Sequence, residues 1–390
     1  MKKVCMISLS AYPADPRVRR EAEVLGENGI SVHVICLSRT GEKKHETFGN
    51  VEAFRILKIA KKEKLLSYLF FSFSFFLKAF FILQKLFIQN RYSVIQFHNM
   101  PDHLVFLGIF QKILGVRIIL DIHDLTPELF EEKWPGKKDK FLHKLIKYTE
   151  MMSCKFSDKI ITVTDECKKR LVSRGVPESK ITLVLNTPQK KIFLFDESRS
   201  YTKKDNELIL LYHGTVAYRF GIHIAVEAIQ ILRSSIANVR LLVYGKYDPG
   251  YKGKLIELVQ DLGLGDNIEF GNFITLEEVY QIIKKCDLAV VPYLETDYMH
   301  LSLSTKTFEY AAAGIPVVCT KLKEMYNIFG DDSLFFVENL SPKTLAESIL
   351  AVYNHPEQQK IYAANANKAL DRISGETMQL RYLNLISNII

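Results

Sequence analysis

Short runs of apolar residues alternate along the chain with longer stretches whose apolar positions recur every third or fourth residue. The runs are strand-sized: VCMISL, SVHVICL, SVIQF, RIILDI and KIITVT in the first half, and LILLYHG, RLLVYG, IEFGNF, LAVVPY and PVVCT in the second. A strand without polar alternate positions must be covered on both faces, so this rhythm predicts parallel sheets flanked by helices. The expected fold class is α/β, with two Rossmann-like doubly wound parallel-sheet domains facing a central cleft. Residues 187–207, TPQKKIFLFDESRSYTKKDNE, are polar and lack a period. They predict a linker between domains at 1–190 and 206–390, leaving the last helix free to pack back on the first domain. Local signals mark helix starts. Asp15 before Pro16 gives a cap followed by proline at the first helical position, with Val18, Ala22 and Leu25 as an inward stripe. Thr275 and Glu278 have capping-box spacing.

The segment from Lys61 to Arg91 breaks the rhythm, being apolar and aromatic nearly all round. Its uninterrupted run, Leu65 to Leu77, is 13 residues, short of the ~20 that a spanning helix needs. Lys58, Lys61, Lys62 and Lys64 flank one end, and Lys78, Lys85 and Arg91 follow. This predicts a helix lying on an anionic membrane surface; a helix buried against its own sheet is the alternative. Composition narrows the picture further, since 390 residues at 48% apolar content fill two cores. Six scattered cysteines without zinc or redox spacing point to a reducing, cytoplasmic compartment. MKKVCMISLS lacks the apolar core and cleavage site of a signal peptide and reads as a first strand. Residues 1–195 hold 33 Lys and Arg against 20 Asp and Glu, whereas the remainder holds 19 against 24. The first half therefore suits a polyanion: a phosphate-bearing substrate, an anionic membrane or nucleic acid. No DNA- or RNA-binding module is visible, and nucleic acid is not an expected partner.

In open parallel sheets, ligands sit beyond the carboxyl ends of the strands. There His98 and Asn99 follow SVIQF, His123 and Asp124 follow RIILDI, and Arg219 and Gly221 follow LILLYHG. No dinucleotide fingerprint follows the first strand of either half, and there is no Walker loop and no Asp-x-Asp pair for a metal. A diphosphate would then be held by cationic side chains and helix N-termini. SLSTKTFEYAAAGIPVV offers both: Ser304 stands where a cap belongs, Gly314 suits the left-handed position after the last turn, and Pro316 prevents resumption. Lys306 and the first-turn amides can face a phosphate, while Glu309, tilted toward the helix start, can accept two protons from a ribose diol. Glu309 reads equally as a surface acid of an amphipathic helix. Arg17, Arg19 and Arg20 read equally as solvated helix charges.

SLSTKTFEYAAAGIPVV also resembles the signature of retaining glycosyltransferases of family four. DPRVRREAEVLGENGISVHVICL, VIQFHNMPDHLVF, LDIHDLTPELF and YHGTVAYRFGIHIAVEAI resemble further segments of that family in the expected order. The resemblance implies the GT-B fold, with an acceptor- and membrane-facing first domain and a nucleotide-sugar donor domain second. It implies donor binding by Gly214, Arg219, Gly221, Ser304, Thr305, Lys306 and Glu309, and catalytic roles for His123, Arg219 and Lys306. Arg17, His98 and Asp124 become acceptor or auxiliary contacts. No metal or other cofactor is expected. Two positions depart from the pattern. The first acid of the family's E-x7-E pair is Leu301, and the usual donor-loop lysine is Phe220, with Arg219 one place earlier for the phosphate role.

The resemblance implies hexosyltransferase-type transfer, with retained configuration, from a UDP-sugar or a GDP-sugar to a hydroxyl. The expected acceptor is a lipid-linked saccharide in surface polysaccharide or glycolipid synthesis, and the expected location is peripheral, on the inner face of the cell membrane. Two alternatives stand beside it: a GT-B-fold epimerase acting on the nucleotide sugar itself, and, given Leu301, a non-catalytic nucleotide-sugar- or lipid-binding partner.

Overall fold

The apolar runs assemble into two sheets. In the computed structural model, which describes residues 2–59, 65–133, 140–187, 192–202 and 205–390, the chain divides into two units. One is Met1–Asn186 with Glu376–Ile390, and the other is Thr187–Gly375.

The first unit holds β1 (Lys3–Ala11), β2 (Ser31–Ser38), β3 (His45–Phe48), β4 (Val51–Lys58), β5 (Val94–His98), β6 (Arg117–Ile122), β7 (Lys159–Thr162) and β8 (Ile181–Leu183). Their order is β3-β4-β2-β1-β5-β6-β7-β8. Every neighbouring pair is parallel except β3 on β4. The purely parallel expectation fails at that edge, because Gly49 (φ 60°) and Asn50 close a hairpin that caps the sheet. The helices are α1 (Pro16–Glu27), α2 (Leu65–Asn90), α3 (Ile109–Ile113), α4 (Thr126–Lys133), α5 (Lys140–Phe156) and α6 (Asp165–Ser173). The chain moves one way along the sheet through α1 and the other way through α2, α3 and α5. Because parallel crossovers are right-handed, α1 covers one face and α2, α3 and α5 the other. Asp15 caps α1, its Oδ1 accepting from Arg17 N at 3.0 Å.

Helix α2 is 26 residues long, and by length and composition it could cross a membrane. The 13-residue run undershot it because Lys78 and Lys85 interrupt the apolar sequence without interrupting the helix. Ser72, Phe75, Ala79, Leu83 and Leu86 form a buried stripe at helical spacing that packs on β1, β2 and β4. One side of α2 is therefore core, as the sheet-buried alternative required. Lys61, Lys62 and Lys64 lie outside the described residues.

The second unit holds β9 (Glu207–Val216), β10 (Asn238–Tyr247), β11 (Ile268–Gly271), β12 (Leu288–Val291), β13 (Val317–Thr320) and β14 (Phe335–Val337). Its helices are α7 (Ile222–Leu232), α8 (Tyr251–Asp261), α9 (Leu276–Ile283), α10 (Asp297–Leu301), α11 (Thr305–Ala313), α12 (Lys323–Phe329), α13 (Pro342–Asn354) and α14 (Pro356–Ala369). The order β11-β10-β9-β12-β13-β14 reverses direction between β9 and β12, the switch point at which such sheets bind ligands. The corresponding reversal in the first unit lies between β1 and β5.

The stretch read as a linker is part of the second unit. Phe193 is buried in that unit's core, and Tyr201 Oη donates to the Gly314 carbonyl at 2.7 Å. The last helix, α15 (Gly375–Ser387), belongs from Glu376 onward to the first unit. There Tyr382 Oη donates to Gln96 Oε1 at 2.7 Å, and Gln96 Nε2 donates to Glu21 Oε2 at 2.5 Å, all three residues being buried.

Candidate active site

At the second unit's switch point, two glycines let the chain pass where a side chain would block it. Gly221 (φ 66°) begins α7, and a Cβ there would run into the Pro292 carbonyl just beyond β12. Gly214 (φ 104°) lies in β9, and a Cβ there would come 3.2 Å from Lys306 Cε. The space kept open holds the buried Lys306 ammonium. Its Nζ donates to Tyr212 Oη at 2.6 Å and lies 4.0, 4.9 and 4.9 Å from the ring centroids of Tyr212, Phe220 and Tyr293. Among the described residues no carboxylate pairs with it. A buried cation with only aromatic faces and one hydroxyl loses its proton easily. Burial pushes Lys306 down to about 7, Glu309 pulls the other way, and Arg219 adds to the fall. Arg219 Cζ lies 4.7 Å from the Phe220 centroid, and it too has no ion pair among the described residues. Two cations converge without an anion.

Thr305 and Lys306 open α11, where amides have no helical carbonyl to bond. Ser304 occupies the cap position but does not cap. Its Oγ accepts from Thr307 Oγ1 at 2.8 Å and donates to Tyr293 Oη at 3.4 Å. The helix start is thus left open to a ligand. Gly314 ends α11 in the left-handed conformation (φ 74°), as its position in the sequence requires.

Glu309 is not a surface acid. Its side chain is 13% exposed, and its Oε2 accepts from His213 Nε2 at 2.6 Å. His213 is held in turn: its backbone N–H donates to Tyr310 Oη at 2.9 Å, and its Nδ1 lies 2.8 Å from the same hydroxyl. Burial lowers the His213 pKa against the pull of Glu309. The neutral ring therefore presents Nε2–H to Glu309 and accepts from Tyr310 at Nδ1. This fixes one carboxylate oxygen and leaves the other without a described partner.

In the first unit, His98 and Asp121 end β5 and β6 as register partners. Asp121 Oδ2 lies 2.7 Å from His98 Nδ1 and 3.1 Å from His123 Nε2, and the two rings stack at 5.6 Å and 3°. All three are buried. Burial opposes charge on both rings; Asp121 outweighs it at His98, whose pKa rises, but not at His123, whose pKa falls. The three side chains are close enough to hold a metal ion. However, His98 Nε2 and His123 Nδ1 are buried without partners, whereas metal-ligating histidines usually anchor the second nitrogen. A charge-paired triad, with Asp121 Oδ2 between the two rings, fits the group better. Asn99 braces it, accepting from His123 N at 2.9 Å and donating to the Asp124 carbonyl at 2.7 Å. Asp124 thus enters through its backbone. Arg17 lies 3.5 Å from Asp15 and is one of the charges that depress His123.

Two family models match the chain in succession: Glycosyltransferase Family 4 over residues 17–187, and Glycosyl transferases group 1 over residues 195–369. The chain is a glycosyltransferase of this type. A curated relative, the 2-deoxystreptamine N-acetyl-D-glucosaminyltransferase of Niallia circulans, is 25% identical over 328 residues, covering 82% of the transferase and 79% of the relative. Among solved structures, sucrose-phosphate synthase from Thermosynechococcus elongatus aligns with a TM-score of 0.76 at 18% identity, covering 100% and 99% of the two chains. Anabaena HepE in complex with UDP aligns at 0.72 and 15% identity over the full length of both chains. The fold is GT-B.

The transferase brings Gly214, Arg219, Gly221, Ser304, Thr305, Lys306 and Glu309 to one switch point, and His98 and His123 to the other. Leu301, in place of the family's first acid, is buried in α10. Sequence reasoning missed Asp121, His213, Tyr212, Tyr293 and Tyr310. His213 sits inside YHG, but only the packing of α11 beside β9 reveals that it supports Glu309.

Proposed function

We propose that the transferase moves a sugar from a nucleoside diphosphate, UDP in preference to GDP, to a hydroxyl of a lipid-linked saccharide, with retained anomeric configuration and without a metal. The observation that carries the donor reading is the pair of cations, Lys306 and Arg219, that converge without a counter-ion beneath an open helix start. An anion supplied by the donor would restore the charge Lys306 gives up when empty. As the bond from the sugar carbon to the diphosphate oxygen breaks, negative charge grows on that oxygen, and both cations and the α11 amides are placed to take it. The acceptor oxygen bonds to the same carbon on the same face, and its proton passes to the departing diphosphate. Glu309 accepts from the ribose hydroxyls. In the first unit, the resemblance assigns a sugar contact to His123, kept neutral, whose ring Asp121 holds and whose backbone Asn99 holds.

UDP is favoured because HepE was solved with UDP and with UDP-glucose. The lipid-linked acceptor, a role in polysaccharide or glycolipid synthesis, and a cytoplasmic position on the inner membrane face rest on α2 and on the basic first half. A thermal-shift panel of UDP, GDP and ADP, with and without EDTA, tests the donor site. UDP at 100 times its Kd should stabilise by about 2.7 kcal/mol, with no loss in chelator. No shift with any nucleotide overturns the reading.

A further inference from the structure

The sequence drew attention to α2 alone, but the fold lays two more helices beside it. The right-handed crossovers place α2, α3 and α5 on one face of the first sheet. Phe80 of α2 meets Phe110 of α3, with ring centroids 6.1 Å apart, and Lys112 of α3 lies 5.1 Å from the Phe156 ring of α5. The outward sides of all three are apolar. Phe70, Phe73 and Phe81 project from α2, Ile109, Phe110 and Ile113 from α3, and Phe141, Leu145 and Tyr148 from α5. These side chains are substantially solvent-exposed: Phe70 is 74%, Ile113 77% and Phe141 75% exposed. Contiguous exposed apolar surface of this kind is rare on a free-standing soluble domain.

Charge selects the occupant. Helices α2 and α3 contain no Asp or Glu, and the one acid of α5, Glu150, is buried and paired with Arg174. Exposed Lys78 and Lys85 on α2, and Lys144, Lys147 and Lys155 on α5, share the outward face with the aromatic residues. Lys112 of α3 is engaged by Asp158 at 2.8 Å. Rings that enter the acyl boundary, set among lysines that meet headgroups, match a bilayer interface. The buried stripe of α2 settles the orientation, because a helix packed along its length on three strands lies flat and does not insert end-on.

We propose that α2, α3 and α5 together form a membrane-docking plane that seats the first unit on an anionic bilayer. The proposal deepens the reading of a membrane-bound acceptor by adding two helices that the sequence did not mark, and it would place the lipid headgroup side of the acceptor next to this plane.

The native cysteines are all buried, so single surface cysteines can carry an environment-sensitive fluorophore on the full chain. Phe81→Cys, Ile113→Cys and Tyr148→Cys report the three helices, and Glu27→Cys at the end of α1 reports the opposite face. With vesicles of phosphatidylcholine doped with anionic phosphatidylglycerol, whose negative surface attracts basic segments, the first three should shift to the blue. Glu27→Cys should not, and pure phosphatidylcholine should give a smaller response at every position. Lys144→Gln with Lys147→Gln should weaken vesicle binding severalfold. A shift at 81 without shifts at 113 and 148 would overturn the plane and leave a single helix. So would blue-shifted labels without vesicles in a protein that sediments as a dimer, since the face would then meet a second copy. UDP titration of the same labelled proteins separates the two readings, because loss of nucleotide binding with intact vesicle shifts would sink the donor assignment and spare the plane.

Discussion

A lysine enclosed by three aromatic rings is a poor cation until an anion arrives. With Lys306 pushed down to about 7, a bound diphosphate must raise it again, so nucleotide binding takes up a proton. The affinity for UDP should be full below pH 7 and should fall above it, by at most about tenfold per pH unit. Isothermal titration between pH 7.5 and 9 would show this slope, and Lys306→Met should flatten it while lowering turnover by about 10²-fold or more. Glu309 makes a different demand. If its carboxylate holds the ribose diol, Glu309→Gln should weaken UDP binding by roughly 10-fold or more and erase the preference for UDP over 2′-deoxy-UDP. His213→Ala should do the same to a lesser degree, because it frees the carboxylate without removing it. Equal losses for both nucleotides would dissociate Glu309 from the sugar hydroxyls.

At the scale of elements, the buried chain Glu21–Gln96–Tyr382 joins α1, β5 and α15. Burial, reinforced by Asp121, raises Glu21 to about 8. A carboxyl whose folded pKa lies above its unfolded value contributes most below about pH 4.5 and loses that contribution as pH rises through 8. Stability of the first unit should therefore decline over this range, and Glu21→Gln should remove that part of the decline, read by urea unfolding at pH 6 and 8. Tyr382→Phe should cost about 1–3 kcal/mol by stranding Gln96. None of this was legible in the sequence, where Glu21 is one acid on a helix and Gln96 interrupts a strand. What could be read was whatever repeats or caps locally. The ten quoted strands, the Asp15 cap and the glycine ending α11 all depend on neighbours within a few residues. Asp121 and His213 went unseen because their partners, His98 on β5 and Glu309 and Tyr310 on α11, are remote in sequence, and Ser304 was misread because Tyr293 and Thr307 engage its hydroxyl.

Across the whole molecule, hydrophobic rhythm and turn chemistry were enough to divide the chain into two parallel-sheet bodies. They started the second body at 206 although it begins at Thr187, because charged positions around Phe193 hide one buried ring. They also understated α2, where two lysines on the outward side broke a run but not a helix. The first body is discontinuous in sequence: Met378, Tyr382 and Ile386 of α15 are buried in it. A chain ended at residue 374 should therefore fail to give a cooperative first transition in calorimetry, while the second unit's transition persists. Two independent transitions in that truncated chain would show α15 to be dispensable.

The return of α15 also sets a timetable. During synthesis the amino-terminal half leaves the ribosome early, yet Gln96 waits for the hydroxyl of Tyr382, 286 residues further along the chain. The half made first is thus finished only after the second, and its apolar outer flank stands uncovered beside an incomplete core until α15 is released.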